Sequence, residues 1–408
     1  MGALVLDMPA FARALNSRNY RLYFVGQLVS LAGTWMQQIA MLWLAYRLSD
    51  SAFVLGAIGF ASQIPILIFA PIGGVWTDRV DRRRLLLWTQ ALSMLQALGL
   101  AVLAWQERVS PALLLVFAFL LGCINSLDVP ARQAIAVQLV DDPDDLPNAI
   151  ALNSLLMNSA RFVGPALAGF VVAAVGESLC FLLNALSYFA VLVALGAIRI
   201  SVVPSRPMPT MQALQQGYRY VLGQRQIRLS LLLVACISFF ATPYAVMMPI
   251  VAREIFAGGA LTYGLLIGSA GAGSLLASLF LASRADTRDV SYWVSLTAPA
   301  VGLCLALFSI TPIRWLAFPV LIGLGFSVII AIAGSNTLIQ TQVHEDYRGR
   351  VMAIFTMAFL GIAPLGSLSV GSLAHVFGIR QTLAACGVIM LLAGIIYRRF
   401  AIRESRRA

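Results

Sequence analysis

A chain of 408 residues that is 60% hydrophobic and 11% charged, with mean hydropathy +0.87, departs far from the roughly 45–50% apolar and about 25% charged make-up of soluble domains. Its formal charge of +11 comes from 28 basic residues that are all Arg, placed as anchors to an anionic leaflet rather than as a nucleic-acid surface. A chain without lysine excludes a Gly-x4-Gly-Lys-Ser/Thr nucleotide loop, and no nucleophile–base or metal-spaced constellation argues for an enzyme, so neither cofactor nor metal is expected.

Apolar runs long enough to cross ~30 Å of hydrocarbon, about 20 residues each, recur all along the chain. Met1 to Asn19 carries Asp7 and Pro9 ahead of a run too long for a signal sequence, so no cleaved leader is expected. The first two spans are expected over Tyr20 to Tyr46 and Ala52 to Thr77, joined by Arg47 to Ser51. Spans near Leu85 to Trp105 and Pro111 to Ala131 enclose the turn Gln106-Glu107-Arg108. After the acidic loop Asp141 to Asp145, two more run near Ala149 to Val175 and Leu179 to Ile198. Cys123, Cys180, Cys236, Cys304 and Cys386 are scattered in apolar runs and read as small hydrophobes.

Ser201 to Arg228 breaks the pattern. Pro204, Pro207 and Pro209 precede Met211 to Arg225, whose polar and basic residues at helical spacing predict an amphipathic surface helix. Six further runs follow, near Leu229 to Ala252, Leu261 to Ala282, Ser291 to Thr311, Trp315 to Thr337, Val351 to Phe377 and Ile379 to Tyr397. The expected architecture is therefore an all-α membrane protein of twelve spans, divided as 1–200, a linker 201–228, and 229–408.

Between the second and third spans lies Gly73-Gly74-Val75-Trp76-Thr77-Asp78-Arg79-Val80-Asp81-Arg82-Arg83-Arg84. An acid followed by this arginine cluster cannot lie in hydrocarbon, where one Arg or Asp costs roughly 2.5–3.5 kcal/mol, so it forms a hairpin at a membrane surface. In the twelve-span arrangement 22 arginines fall on the side of the termini, five on the other side, and Arg161 within a span. The positive-inside rule then places both termini in the cytoplasm. The halves also echo each other: Gly164-Pro165-Ala166-Leu167-Ala168-Gly169 and Ala363-Pro364-Leu365-Gly366-Ser367 follow charged loops after even-numbered spans, as an internal repeat requires.

With these residues in view, the chain resembles the major facilitator superfamily over essentially its whole length. Gly74 to Arg84 is similar to that family's signature between spans 2 and 3, with Asp81 where the family usually has Gly. Asn19-Tyr20-Arg21-Leu22, Gly33-Thr34-Trp35-Met36-Gln37 and Ser51-Ala52-Phe53 resemble the bacterial exporters that include the enterobactin exporter and macrolide efflux pumps. The resemblance implies two six-helix bundles about a central cavity and a gating motif of Gly74, Asp78, Arg79, Arg82, Arg83 and Asp128. In it, Asp78 faces the positive end of span 11 near Gly349-Arg350-Val351, and Arg82 pairs with Asp128, closing the inner side. Gly164, Pro165 and Gly169 resemble the helix-bend motif of the family's antiporters, although close packing of small residues gives the same letters.

Candidates for substrate or coupling are Arg161, Trp35, Gln37 and Gln38. The amides either line a cavity or hydrogen-bond between helices. Arg161 lies near mid-span, beyond snorkelling distance from either face, and either is capped by carbonyls and amides or meets an anionic group on the cargo. No Asp or Glu sits near a span centre, and His344 and His375 are read as solvated. The expected activity is export of a small amphiphilic molecule from the bacterial cytoplasm by a monomer in the lipid bilayer, with a proton as coupling ion. A siderophore is the first expected cargo and a drug-like compound the second. A lysophospholipid transporter and a transporter-shaped sensor are the alternatives.

Overall fold

The computed structural model describes residues 10–77, 80–198, 210–284 and 287–405. Twelve helices among these are long and apolar enough to cross a membrane. The eighth, Ala260–Ala282, has 23 residues and rises about 34 Å at 1.5 Å per residue, so every backbone polar group inside the hydrocarbon is paired within its own helix.

The first six spans are Arg18–Ser49, Ala52–Thr77, Arg82–Trp105, Pro111–Gln138, Leu146–Val175 and Glu177–Ala197. An amphipathic helix, Thr210–Gly223, follows, and Tyr220 stacks on Tyr347 with ring centroids 4.5 Å apart. Within the first six, span 1 packs on spans 5 and 6, span 3 on 4 and 6, and span 2 on 4. Among the later six, span 9 packs on 10 and 12, and span 8 on 10. Two bundles result, joined chiefly where span 5 crosses span 8 and span 2 crosses span 11. Gly176 (φ +91°) and Gly378 (φ +86°) make the one-residue turns from span 5 to 6 and from span 11 to 12. The same left-handed turn thus recurs at matching places in the halves.

Hydropathy set the spans shorter than the helices at the end that carries the termini. Span 5 starts at Leu146, span 10 (Arg314–Gln342) runs past Thr337, and span 11 starts at Glu345. Hydropathy marks where hydrocarbon stops, whereas helical hydrogen bonding continues into the headgroup layer at little cost.

Sequence periodicity missed one feature. Span 7 runs from Arg225 to Ile255 with π turns at Ile237–Ala241 and Val251–Ile255, and span 11 contains another at Met357–Gly361. Pro243 and Pro364 stand just after two of them. A proline has no N–H to continue the α ladder, and a widened turn re-pairs the freed carbonyls, as in Thr242 N to Ile237 O at 3.0 Å.

Candidate functional site

Of the hairpin, Asp78 and Arg79 lie outside the described residues, and Gly74 belongs to the second helix. Asp81 caps the third helix, its carboxylate accepting from Arg83 N at 2.9 Å and Arg84 N at 3.2 Å. That accounts for an acid where the related signature has glycine, because a carboxylate here satisfies two of the helix's unpaired N–H groups. Arg83 donates to the carbonyls of Leu195 and Gly196, both at 2.8 Å, tying the hairpin to the end of span 6.

Asp128, expected to meet Arg82, has these partners in this structure: only 2% exposed, it receives Arg132 Nη2 at 2.6 Å, Gln90 Nε2 at 2.7 Å and Thr89 Oγ1 at 2.8 Å. Arg132 is one helical turn further along the same span, so it reaches the carboxylate without any other helix having to approach. Arg82 is buried at the head of span 3 and has engagements of its own.

Gln37 resolves the question left open for the span 1 amides. It is buried, donates to Gln96 Oε1 at 2.9 Å and accepts from Asn184 Nδ2 at 2.8 Å, and Gln96 passes the chain on to the Phe117 carbonyl at 3.1 Å. Spans 1, 3, 4 and 6 are stitched by this knot, which leaves Gln37 no free face. Gln38, the next residue, is exposed.

Arg161 stands where the bundles meet. Its guanidinium lies 5.3 Å from the Trp35 ring of span 1, and Tyr244 of span 7 is within electrostatic reach. Gly271 of span 8 backs it so closely that a Cβ there would be 2.6 Å from the Arg161 carbonyl. Arg161 Nε is fully buried and unpaired. Among the described residues no carbonyl or amide caps its Nε: Asn158, one turn away, donates to Ser154 O at 2.9 Å. Gly164 lets span 5 close on span 1, since a Cβ there would stand 2.5 Å from Trp35 Cβ. The helix runs on through Pro165, and Gly169 packs on span 8.

At the end away from the termini, a group of residues not singled out in the sequence joins the two bundles. Tyr46 donates to Glu254, Arg253 Nη1 lies 3.8 Å from Asp50 Oδ1 and its guanidinium 5.8 Å from the Tyr46 ring, and Trp43 stacks on Tyr263 at 6.1 Å. Two glycine pairs lie beneath. A Cβ on Gly169 would stand 2.9 Å from Gly264 Cα, and one on Gly56 would stand 3.0 Å from Gly371 Cα. A readable signal existed: opposite charges, Asp50 and Arg253, end the first spans of the two halves. Towards the other end, a cavity of about 250 Å³ opens between spans 1, 4 and 5, lined by Tyr20, Gln133, Asn153 and Ser154 among others.

Residues 10–408 match the family model described as transmembrane secretion effector, MFS_3. The staphyloferrin A transporter of Staphylococcus aureus is 28% identical over 383 residues, covering 92% of this chain and 94% of that protein. The multidrug efflux pump Tap of Mycobacterium tuberculosis is 24% identical over 389 residues, covering 92% of each. A bacterial homologue of the human lysosomal transporter Spinster, crystallised inward-facing and unoccupied, superposes with TM-score 0.74 at 13% identity, over 97% of this chain and 98% of that one.

Proposed function

The chain belongs to the transmembrane secretion effector family of major facilitator transporters, and from that premise we propose that it exports a small amphiphilic molecule by alternating access, in exchange for protons. The observation that carries this reading is a layer of ties between the bundles at one end: Tyr46–Glu254, Asp50–Arg253 and the glycine crossings of spans 2/11 and 5/8. A layer of side-chain ties between two rigid bundles is the kind of contact that alternating access must make and break. With the termini in the cytoplasm, as the arginine distribution supports, that end faces outward and these ties are the outer closure. The hairpin residues Asp78, Arg79, Arg82 and Arg83, with Asp128, are the inner gate that closes in the opposite state. The moving bodies are 1–200 and 229–408, linked by 201–228, and the unit is a monomer.

A siderophore or drug-like cargo draws support from the relatives, which include a staphyloferrin A transporter and multidrug pumps. A lipid cargo is the second reading. It is favoured by an apolar cavity of about 380 Å³ between spans 7, 11 and 12, lined by Phe239, Phe240, Leu373 and Phe377 among others.

Everted membrane vesicles energised to an acid interior test both. Carboxylate and catecholate siderophores, a cationic dye and a fluorescent lysophospholipid are offered in turn, with and without a protonophore. Proton-dependent accumulation of a siderophore or the dye is the expected result. Accumulation of the lysophospholipid alone selects the second reading, and none with any cargo overturns export.

A further inference from the structure

The place where the two bundles meet holds a cation with no counter-charge. Arg161 forms no ion pair among the described residues, and its buried Nε has no hydrogen-bond partner. What it has is the face of Trp35 at 5.3 Å, from its own bundle, and Tyr244 within electrostatic reach, from the other. A π face attracts a cation but accepts none of the five N–H bonds that a guanidinium offers. Such a site is incomplete in a specific way: it lacks a planar acceptor with two oxygens.

We propose that Arg161 is the cargo's anion receptor, taking a carboxylate or comparable oxyanion carried on a flat apolar body that lies between Trp35 and Tyr244. The inference rests on the transport reading above and names the substrate class of that same route. Three features support the chemistry. The guanidinium fork matches a carboxylate in two parallel bonds, which a lysine ammonium cannot copy. Trp35 is fixed against span 5 by the Gly164 contact, so the aromatic wall and the cation keep a set spacing. Tyr244, on span 7 next to the π turn at Ile237–Ala241, lies within electrostatic range of Arg161, so the opposite bundle also feels the charge that an anion there would neutralise. Cargo binding thereby becomes a tie between the halves near their centre, where a small molecule can bias which end opens. A neutral analogue leaves the buried Nε unpaired.

The test separates the receptor from transport. Purified protein in nanodiscs is titrated by calorimetry with 2-naphthoate and with 2-naphthamide, which share a ring and differ in charge. Wild type is expected to bind naphthoate at least about tenfold more tightly. Arg161→Gln should bring the two to within about twofold, and Arg161→Lys should recover only part of the preference. Arg161→Gln is compared at matched thermal stability; should it fail to fold, Trp35→Leu and Tyr244→Leu replace it and must each weaken naphthoate binding more than threefold. Equal binding of the two probes by wild type, no binding of either, or a preference that survives Arg161→Gln overturns the proposal. Counterflow of labelled naphthoate in proteoliposomes is measured alongside. A preference in nanodiscs without counterflow of any cargo leaves the receptor standing and sinks the transport reading instead.

Discussion

Arg132 holds Asp128 at 2.6 Å from one turn along the same helix, in a setting where the acid is 2% and the base 20% exposed. Removing one partner of a buried pair strands the other charge and costs about 3–5 kcal/mol, whereas removing both is far milder. Asp128→Asn and Arg132→Gln should each lower stability, and the double variant should be more stable than the sum of the two losses, with a coupling of about 1–3 kcal/mol. Thermal unfolding of the four proteins in one detergent measures the cycle. Additive losses would mean that Thr89 and Gln90, not Arg132, satisfy the carboxylate.

Asp81 gives a milder prediction, because its role is a cap rather than a charge relay. Replacing an N-cap acid by Ala costs about 0.5–2 kcal/mol, and by Gly only a few tenths. Asp81→Ala should therefore destabilise the protein measurably, and Asp81→Gly, which restores the residue usual in the related signature, should not. Both variants are expected to keep transport. If both Asp81→Gly and Asp81→Ala abolished export while the protein stayed folded, the acid would belong to the gate and not only to the helix end.

How much of this was legible in the letters depends on the range of the force involved. The twelve spans were, because each is decided locally by apolar length against hydrocarbon thickness. Arg161 was legible as a problem, since a cation far from either face must find something, but not its surroundings: Trp35 and Tyr244 are about 126 and 83 residues away in sequence and meet it only once the bundles pack. Gln37 and Gln38 show the same limit. Adjacent amides point about 100° apart on a helix, so one is tied into Gln96 and Asn184 and the other is exposed, and nothing in the two letters says which. Arg82 was the reverse case. The pairing that the resemblance implies says nothing of Arg132, which holds the acid here from four residues away in the sequence itself.

Among the described residues, the contact of Tyr46 with Glu254 is a side-chain hydrogen bond that crosses the bundles at the closed end. Glu254 is exposed, so its charge is screened and the bond contributes about 1 kcal/mol. Tyr46→Phe should shift the equilibrium towards the state open at that end by about fivefold. Spin labels at Phe53 and Leu261, both exposed at the heads of spans 2 and 8, report the change as growth of a longer distance in the pulsed dipolar spectrum. An unchanged distribution would assign the closure to the helix crossings alone.

Those crossings supply the stronger constraint, because they are backbone against backbone. A Cβ at Gly264 would stand 2.8 Å from Gly169 Cα, and one at Gly371 would stand 2.8 Å from Gly56 Cα. No rotamer can relieve either clash, so the helices themselves must part. Overpacking of this kind costs about 1–3 kcal/mol, and here that cost falls only on the state in which the crossing is closed. Gly264→Ala and Gly371→Ala should each move the Phe53–Leu261 distance towards the open form by at least about fivefold in population, and the two together further than either. Gly196→Ala is the matched control: a Cβ there meets nothing within 4 Å, so the distances should stay as in wild type. Because the two crossings join span 5 to 8 and span 2 to 11, symmetric gating also requires the two single variants to act alike. A shift from Gly264→Ala with none from Gly371→Ala would mean that the closed end hinges on one crossing, and that only one side of the interface gives way when cargo leaves.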